Sequence, residues 1–311
     1  MVNLGQEKSG RNPPLVSIVI PTYNRFGLLR ECIESALAQN YANFEVIVVD
    51  DGSTDETPQL CESFGSRIRY FRKPNGGAAS ALNHGIRQMK GAWFKWLSSD
   101  DLLEPDALDK LLRAAESRSA GVAYGDFVRI DLTGREVGRY ESRGFRTQDD
   151  FVVELWYHFV GSAGAALISR LCLERVGLFD ESIRYGEDYD WWLRAALIHR
   201  VEFVHVPVQV ARYRIHPGQI SMSKASAIPR LRQEIRTNAA GKLARGGADP
   251  RVLTHYVSMT RRYRRTLAPA LGTLKILSRI PGHSLAGFWA GKLAPRWTSR
   301  VYWASNPPVA T

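Results

Sequence analysis

The chain has 311 residues, of which 44% are hydrophobic, so it is long enough and apolar enough to bury one large core or two modest ones. Its three cysteines lie far apart without metal-ligand spacing, which argues against a disulfide framework and predicts reduced packing residues. The sequence contains neither a signal-peptide pattern nor a run of about 18 uncharged apolar residues, so it predicts a cytoplasmic protein.

The net charge of +11 is unevenly distributed along the chain. Residues 225–311 contain 15 Lys or Arg and two acidic residues, whereas residues 1–224 contain 27 basic and 29 acidic residues. This shift in composition predicts a domain boundary near residue 225. The predicted organisation is a flexible segment over 1–13, a main domain over 14–224 with halves 14–101 and 102–224, and a basic helical extension over 225–311.

Short apolar runs alternate with helical periods between residues 16 and 101. This alternation predicts βα units and a parallel sheet that is covered on both faces. The predicted strands are 16–20, 44–49, 68–71 and 92–97, and the predicted helices are 26–39, 55–64 and 77–89.

After residue 101 the alternation becomes less regular, which predicts mixed strands in the second half of an α/β domain. This half would face the first across a groove. Its predicted elements are a helix at 104–118, a strand at 121–131, a hairpin through 132–136, a helix at 148–159, a strand at 163–169, a helix at 187–198 and strands within 201–215.

Polar loops follow the four strands of the predicted parallel sheet. Because right-handed crossovers bring the carboxyl ends of such strands to one edge, where ligands bind, the loops should meet there. They are 21–25, 50–55, 73–77 and 98–101.

The loop after the second strand begins with Asp50 and Asp51, whose carboxylates can accept hydrogen bonds from a nucleobase or a ribose. A turn followed by a helix cap at Asp55 is an equally simple interpretation. Asn75 and Gly76 open the third helix, where free backbone N–H groups suit an anion or a ribose. Their spacing matches neither the dinucleotide-binding fingerprint nor the P-loop.

Asp100 and Asp101 stand side by side, although like charges repel unless each carboxylate has a partner. One of them could hold a ribose hydroxyl while the other binds Mg²⁺ or Mn²⁺, whose remaining ligands would be phosphate oxygens and water. That interpretation implies a diphosphate. A solvated acidic helix start is the alternative.

Seven segments together resemble the family 2 glycosyltransferases of the GT-A fold, and the resemblance covers about residues 13–224. In chain order they are VSIVIPTYNR, VIVVDDGSTD, NGGAASALNHG, WLSSDD, GLFDES, GEDYDWWLR and YRIHPGQIS. The resemblance implies inverting transfer of a sugar from a nucleotide-sugar donor to a hydroxyl of a glycan or lipid-linked acceptor, in cell-envelope or exopolysaccharide biosynthesis. A catalytically silent nucleotide-binding or membrane-anchoring module and a retaining transferase are the alternatives.

The resemblance also implies roles for individual residues. Asp188 would be the catalytic base, with Glu187 beside it on the acceptor side, and a helix start would keep Asp188 ionised. Asp101 and His216 would bind the metal and Arg214 the diphosphate. Many family members carry Asp where this chain has Ser98, and both His216 and the EDYD segment also have simple structural interpretations. The donor-binding residues would be Pro21, Thr22, Tyr23, Asn24, Asp50, Asp51, Asn75, Gly76 and Asp100.

The basic extension contains an amphipathic pattern over 252–267, with apolar residues on one side of the helix and arginines on the other. Tryptophans and tyrosines then alternate with Lys and Arg. This composition suits an anionic membrane surface, so peripheral contact with the inner face of the plasma membrane is expected. A helical cap packed on the domain is the alternative, and nucleic-acid binding is disfavoured because no nucleic-acid motif accompanies the charge.

Overall fold

The computed structural model describes residues 12–245, with gaps at 143, 158–159, 220–221 and 223–225. The described residues belong to one compact unit that ends at Gly247. The predicted amphipathic helix at 252–267 and most of the predicted extension and its membrane contact therefore lie outside the described residues. The boundary near residue 225 stays a prediction.

In the described part of the chain nine strands form one sheet, and most of them coincide with predicted strands. Strands β1 and β2 are largely apolar and buried because both faces of that part of the sheet are covered. The strands are β1 Val16–Thr22, β2 Phe44–Asp50, β3 Arg69–Arg72, β4 Trp93–Trp96, β5 Leu102–Leu103, β6 Val122–Ile130, β7 Glu136–Tyr140, β8 Ala166–Ser169 and β9 Phe203–Arg214.

The sheet has the order β3-β2-β1-β4-β8-β6-β9-β5, and β7 pairs with β6. Strands β3, β2, β1 and β4 are parallel, and so are β6 and β9. Strand β8 is antiparallel to both β4 and β6, and β5 and β7 pair antiparallel with their neighbours. The predicted α/β class, with a parallel first half and mixed strands in the second, is confirmed.

Eight helices lie in the described part of the chain. Helix α6 has no counterpart among the predicted elements, because its seven residues make only about two turns and are too few to give a periodic signal. The predicted helix 187–198 continues past α7 as a π-helical segment at Arg194–Ile198. The helices are α1 Phe26–Leu37, α2 Thr57–Ser63, α3 Ala78–Gln88, α4 Ala107–Arg118, α5 Gln148–Tyr157, α6 Arg170–Val176, α7 Glu187–Leu193 and α8 Ile228–Arg245.

The main core lies between the sheet and helices α1 and α4. Ile18 and Ile20 of β1 pack there with Ile33 of α1 and Leu111 of α4, and all four are fully buried. Each such side chain contributes about 1.5–3 kcal/mol relative to an exposed position. The three cysteines are buried and unpaired. This core fixes the strand ends whose loops form the candidate site.

Candidate active site

The loops after β1 and β2 are joined by hydrogen bonds at the carboxyl edge of the sheet. The amide of Asn24 donates to Ser53 Oγ over 2.9 Å, and Asn24 Oδ1 accepts from the amide of Thr54 over 2.8 Å. Asn24 adopts a positive φ of 50°, a conformation that asparagine tolerates better than most residues. Asn24 therefore shapes the loop that carries Tyr23, whose side chain is 46% exposed.

Asp50 is buried and its carboxylate is bound within the protein. Oδ1 accepts from the amide of Ser53 over 2.7 Å, and Oδ2 accepts from the Tyr70 hydroxyl over 2.9 Å. Arg72 Nε lies 3.6 Å from the same Oδ2 atom. Asp50 thus closes the turn after β2, which matches the structural interpretation of this motif rather than direct contact with a base.

Asp51 occupies the N-terminal end of α3. Its carboxylate accepts from Lys73 Nζ over 2.6 Å, from the amide of Gly76 over 3.0 Å and from the amide of Gly77 over 2.7 Å. The backbone N–H groups that were expected to be free for an anion are therefore held by this carboxylate. Asn75 and Gly76 themselves remain exposed at the rim.

Thr22 and Pro21 end β1 at the same edge. Thr22 is buried, and its Oγ1 atom has no hydrogen-bond partner within the described ranges. Pro21 is partly buried. A buried hydroxyl without a partner costs free energy, so this atom can gain from binding a ligand group.

Asp100 and His216 meet at the end of β4. Nε2 of His216 lies 3.1 Å from Oδ2 of Asp100, and Nε of Arg25 lies 3.9 Å from the same oxygen. The Asp100 side chain keeps 15% of its surface exposed. The sequence analysis paired His216 with Asp101 as metal ligands, but the structure places His216 beside Asp100.

Asp101 has different partners from Asp100 and is buried. Its Oδ1 atom accepts from the backbone N–H of Arg214 over 2.9 Å, which links the loop after β4 to β9. Burial, together with the neighbouring Asp100 charge, raises the pKa of Asp101 well above its usual value. Nearby, burial lowers the pKa of Lys95 to about 7, and its ammonium donates to the carbonyl of Gly164. The geometry therefore favours a structural role for Asp101 over the predicted metal contact.

The Arg214 guanidinium is also bound within the protein and is fully buried. It donates to the carbonyls of Asp100 and Leu132, each over 3.0 Å, and to Glu31 Oε2 over 2.7 Å. In this arrangement Arg214 ties three segments together, so the predicted contact with a diphosphate is not supported by its geometry. Arg25, the last residue of the PTYNR segment, was not among the predicted site residues. Its side chain lies beside Asp100 and is 29% exposed.

Glu187 and Asp188 begin α7, after Gly186 with a φ of +83°. Burial and the charge of Asp188 raise the pKa of Glu187 to about 8. Burial also raises the pKa of Asp188, against the opposing effects of the Tyr189 amide and the Arg232 charge. A helix start favours the ionised form of Asp188, but desolvation outweighs this effect and raises the pKa of the carboxyl above its usual value.

The loop before α7 connects this carboxylate pair to β4. The ring of Phe179 lies 5.6 Å from that of Trp96 and 6.0 Å from that of Trp191. Asn83 of α3 fixes the loop, donating to the carbonyl of Phe179 over 2.9 Å and to Glu181 Oε1 over 2.8 Å. Trp191 is fully buried, which fits a packing role.

A cavity of about 340 Å³ opens beside the Asp100–His216 pair. It lies between the start of α1 and the loop before α2, with Arg25 and His216 in its wall. The other lining residues are Asn24, Phe26, Gly27, Leu28, Asp55 and Glu56.

The side chains of Asp100 and His216 are the candidate ligands of a divalent cation. Over the ranges described, no group of three or more His, Cys, Asp or Glu residues is close enough to hold a metal ion. Asp100 Oδ2 and His216 Nε2 are 3.1 Å apart, which is about the spacing of adjacent ligands of an octahedral ion with bonds of about 2.1 Å. Two protein ligands suffice where phosphate oxygens and water complete the shell. The pair therefore fits Mg²⁺ or Mn²⁺.

None of the helices in the described part of the chain has the length and apolar run that a membrane span requires. Helix α8, part of the predicted extension, instead packs against α7.

The chain is similar in sequence to bacterial glycosyltransferases. A glycosyltransferase of Rickettsia typhi is 37% identical over 217 residues, which is 68% of this chain and 67% of that protein. For the next two Rickettsia relatives, the match spans 65% and 32% of their length.

Two solved structures share the fold at low sequence identity. Staphylococcus aureus TarS 1-349 in complex with UDP-GlcNAc has a TM-score of 0.63 and 19% identity, covering 84% of this chain and 79% of that chain. The mannosyltransferase PcManGT from Pyrobaculum calidifontis in complex with GDP-Man and Mn²⁺ has a TM-score of 0.58 and 19% identity, covering 88% and 77%.

The family model for glycosyl transferase family 2 matches residues 17–177, more than half of the chain. This segment contains β1 to β4 and the Asp100 loop. The chain belongs to glycosyl transferase family 2.

Proposed function

We propose that this protein transfers a sugar from a nucleotide-sugar donor to a hydroxyl group of a glycan or lipid-linked acceptor, with inversion at the anomeric carbon. The observation that carries the proposal is the pairing of Asp100 with His216 at the carboxyl edge of a family 2 sheet. Two proteins with the same fold support a nucleotide-sugar donor, because one was solved with UDP-GlcNAc and the other with GDP-Man. A role in cell-envelope or exopolysaccharide biosynthesis belongs to the same proposal.

The donor nucleoside would lie against the loop after β1. Tyr23 offers an exposed ring for contact with the base, and the unpartnered Oγ1 atom of Thr22 offers a hydrogen bond. Asp51 lies next to this loop and can accept a further hydrogen bond, since a carboxylate has about four acceptor positions.

Asp100 and His216 would hold the divalent cation. When bound, the cation supplies a Lewis acid that offsets the negative charge developing on the departing diphosphate. Arg25 adds a positive charge at the same place, where it is 3.9 Å from Asp100 Oδ2. Asp101 and Arg214 would hold the Asp100 loop against β9 through their hydrogen bonds.

Asp188 would take the proton of the attacking acceptor hydroxyl. Glu187, with a pKa of about 8, is protonated at neutral pH and can donate a hydrogen bond to the acceptor or the sugar. The two adjacent carboxyl groups would thus have different roles. A single base and no second carboxylate assigned as nucleophile favour direct displacement with inversion.

The test measures release of nucleoside diphosphate from UDP-sugars and GDP-sugars, with Mn²⁺ and a mixture of glycan and lipid-linked acceptors. Asp188→Asn should reduce transfer by at least about a hundredfold and leave nucleotide binding intact. Asp109→Asn, on the exposed side of α4, is the matched control and should transfer normally.

Each alternative predicts a different result. Unchanged transfer by Asp188→Asn would contradict the assigned base. If the wild-type protein releases no nucleoside diphosphate with any acceptor, the result would favour a catalytically silent nucleotide-binding module. NMR of the product distinguishes inversion from retention.

A further inference from the structure

Helix α8 lies directly on the start of α7, where the proposed base is located. A Cβ atom added at Gly186 would be 3.2 Å from Ile235 Cδ1 and 3.5 Å from Leu231 Cδ2. Ile235 and Ala239 are buried in this contact. Both α8 and the carboxylate pair lie after the family-matched residues 17–177.

Two arginines of α8, one turn apart, face α7 and differ in their contacts. Arg236 Nη1 donates to the carbonyl of Trp156 over 3.1 Å, and the hydroxyl of Tyr189 donates to the same carbonyl over 2.8 Å. Arg232 lies over the Tyr189 ring, with its guanidinium carbon 5.7 Å from the ring centre. Within the described ranges the Arg232 guanidinium has no hydrogen bond and no ion-pair partner.

Asp188 has charged residues around it on its own helix and on the elements that pack against α7. Glu187 lies on the same helix, and Arg232 of α8 lies over the ring of Tyr189, the residue that follows Asp188. The other charged groups on elements packed against α7 are Arg236 on α8, Asp149, Asp150 and Glu154 on α5, and Arg194, which is paired with Asp190. Arg232 is the cation whose charge acts on Asp188, and it opposes the effect of burial on the pKa of that carboxyl.

We propose that Arg232 is a positioning residue that keeps Asp188 ionised, so that Asp188 can accept a proton at neutral pH. This role rests on the proposed function of Asp188 as the base. It assigns to α8 a part in catalysis. Arg236, bound to the Trp156 carbonyl, fixes the helix that carries Arg232.

The experiment follows the Asp188 carboxyl directly. Protein labelled with ¹³C at the aspartate side-chain carboxyl is titrated by NMR, and Asp188→Asn identifies the signal. Arg232→Met should move the Asp188 titration midpoint upward, whereas Arg232→Lys and the control Arg230→Gln should leave it in place. Arg230 is 88% exposed on the same helix and pairs with Glu234.

The rate of sugar transfer should depend on pH in the same way as the ionisation of Asp188. Because the ionised fraction falls about tenfold per pH unit below the pKa, the rate deficit of Arg232→Met should grow as the pH falls. Arg232→Gln is a second neutral variant in case Arg232→Met does not fold.

An unchanged midpoint in both neutral variants would overturn the proposal. A higher KM for the acceptor at every pH, with an unmoved midpoint, would overturn it too and would assign Arg232 to acceptor binding. The NMR titration requires no turnover, so it decides the role of Arg232 even if the wild-type protein transfers no sugar.

Discussion

Nε2 of His216 lies 3.1 Å from Oδ2 of Asp100, although 116 positions separate the two residues in the sequence. The contact forms because β9 pairs with β5, the short strand that directly follows Asp101. The backbone of Arg214 is anchored there by Asp101. Asp101 thus positions β9, whereas the adjacent Asp100 lies beside His216.

This division of roles predicts different effects of the two adjacent substitutions. Asp100→Asn and His216→Ala should each weaken Mn²⁺-dependent nucleotide binding by at least about tenfold, because loss of one of two protein ligands weakens a site of this kind. Isothermal titration calorimetry with UDP or GDP, with and without Mn²⁺, measures the change. Asp101→Asn is the matched comparison and should mainly lower the free energy of unfolding. A larger loss of Mn²⁺ dependence in Asp101→Asn would restore Asp101 as the metal ligand.

Arg214 should contribute to stability rather than to donor binding. Arg214→Met leaves buried carbonyl groups without their donor, and we expect the free energy of unfolding to fall by about 3–5 kcal/mol. Glu31→Gln, at the half-exposed end of the same ion pair, should cost less than about 1 kcal/mol. Urea denaturation measures both values. Normal stability of Arg214→Met combined with loss of nucleotide binding would show that Arg214 reaches the diphosphate.

Gly85 should be required for the packing of α3 on the sheet. A Cβ atom at this position would clash with Val19 Cγ1 of β1 and crowd Val49 of β2. Gly85→Ala should therefore destabilise the protein by about 1–3 kcal/mol. Gly27→Ala is the control, since its Cβ would meet no atom within 4 Å, and it should stabilise by about 0.5–1 kcal/mol. Equal thermal shifts in the two variants would contradict the described packing.

The buried Glu187 carboxyl should make stability depend on pH. Its pKa is raised from 4.5 to about 8, so the folded state binds more protons than the unfolded state between these values. The free energy of unfolding should therefore fall as the pH rises through this window, and the loss should be complete above about pH 8.

Glu187→Gln removes the ionisation and should flatten this part of the stability curve. Urea denaturation from pH 5 to pH 9 compares the two proteins. Glu62→Gln is the control at an exposed position on α2. A constant difference between wild type and Glu187→Gln across the range would mean that Glu187 titrates normally.

Sequence reasoning was most successful where one physical signal dominates. The apolar runs of β1, β2 and β4 predict buried parallel strands, and the ends of these strands carry the loops that meet at the rim. Helix α6 was missed because a helix of seven residues, about two turns, is too short to show a clear period.

The site was harder to predict because contacts between distant segments decide it. Nothing in the sequence shows which carboxylate of Asp100 and Asp101 will accept the Arg214 amide and which will lie beside His216. The charge state of Asp188 depends on burial and on Arg232, which lies 44 positions later on a helix that no motif marked. The roles of Asn83 and Glu31 likewise depend on partners that only the fold brings near.

The central claim is that Asp100 and His216 form the cation site of a sugar-nucleotide transferase whose base is Asp188. The most direct test is a crystal structure with Mn²⁺ and UDP-GlcNAc or GDP-Man, with anomalous scattering used to locate the manganese. We predict a peak shared by Asp100, His216 and the diphosphate, with Asp188 on the other side of the sugar. Manganese bound elsewhere, or Asp188 separated from the sugar by protein, would contradict the account.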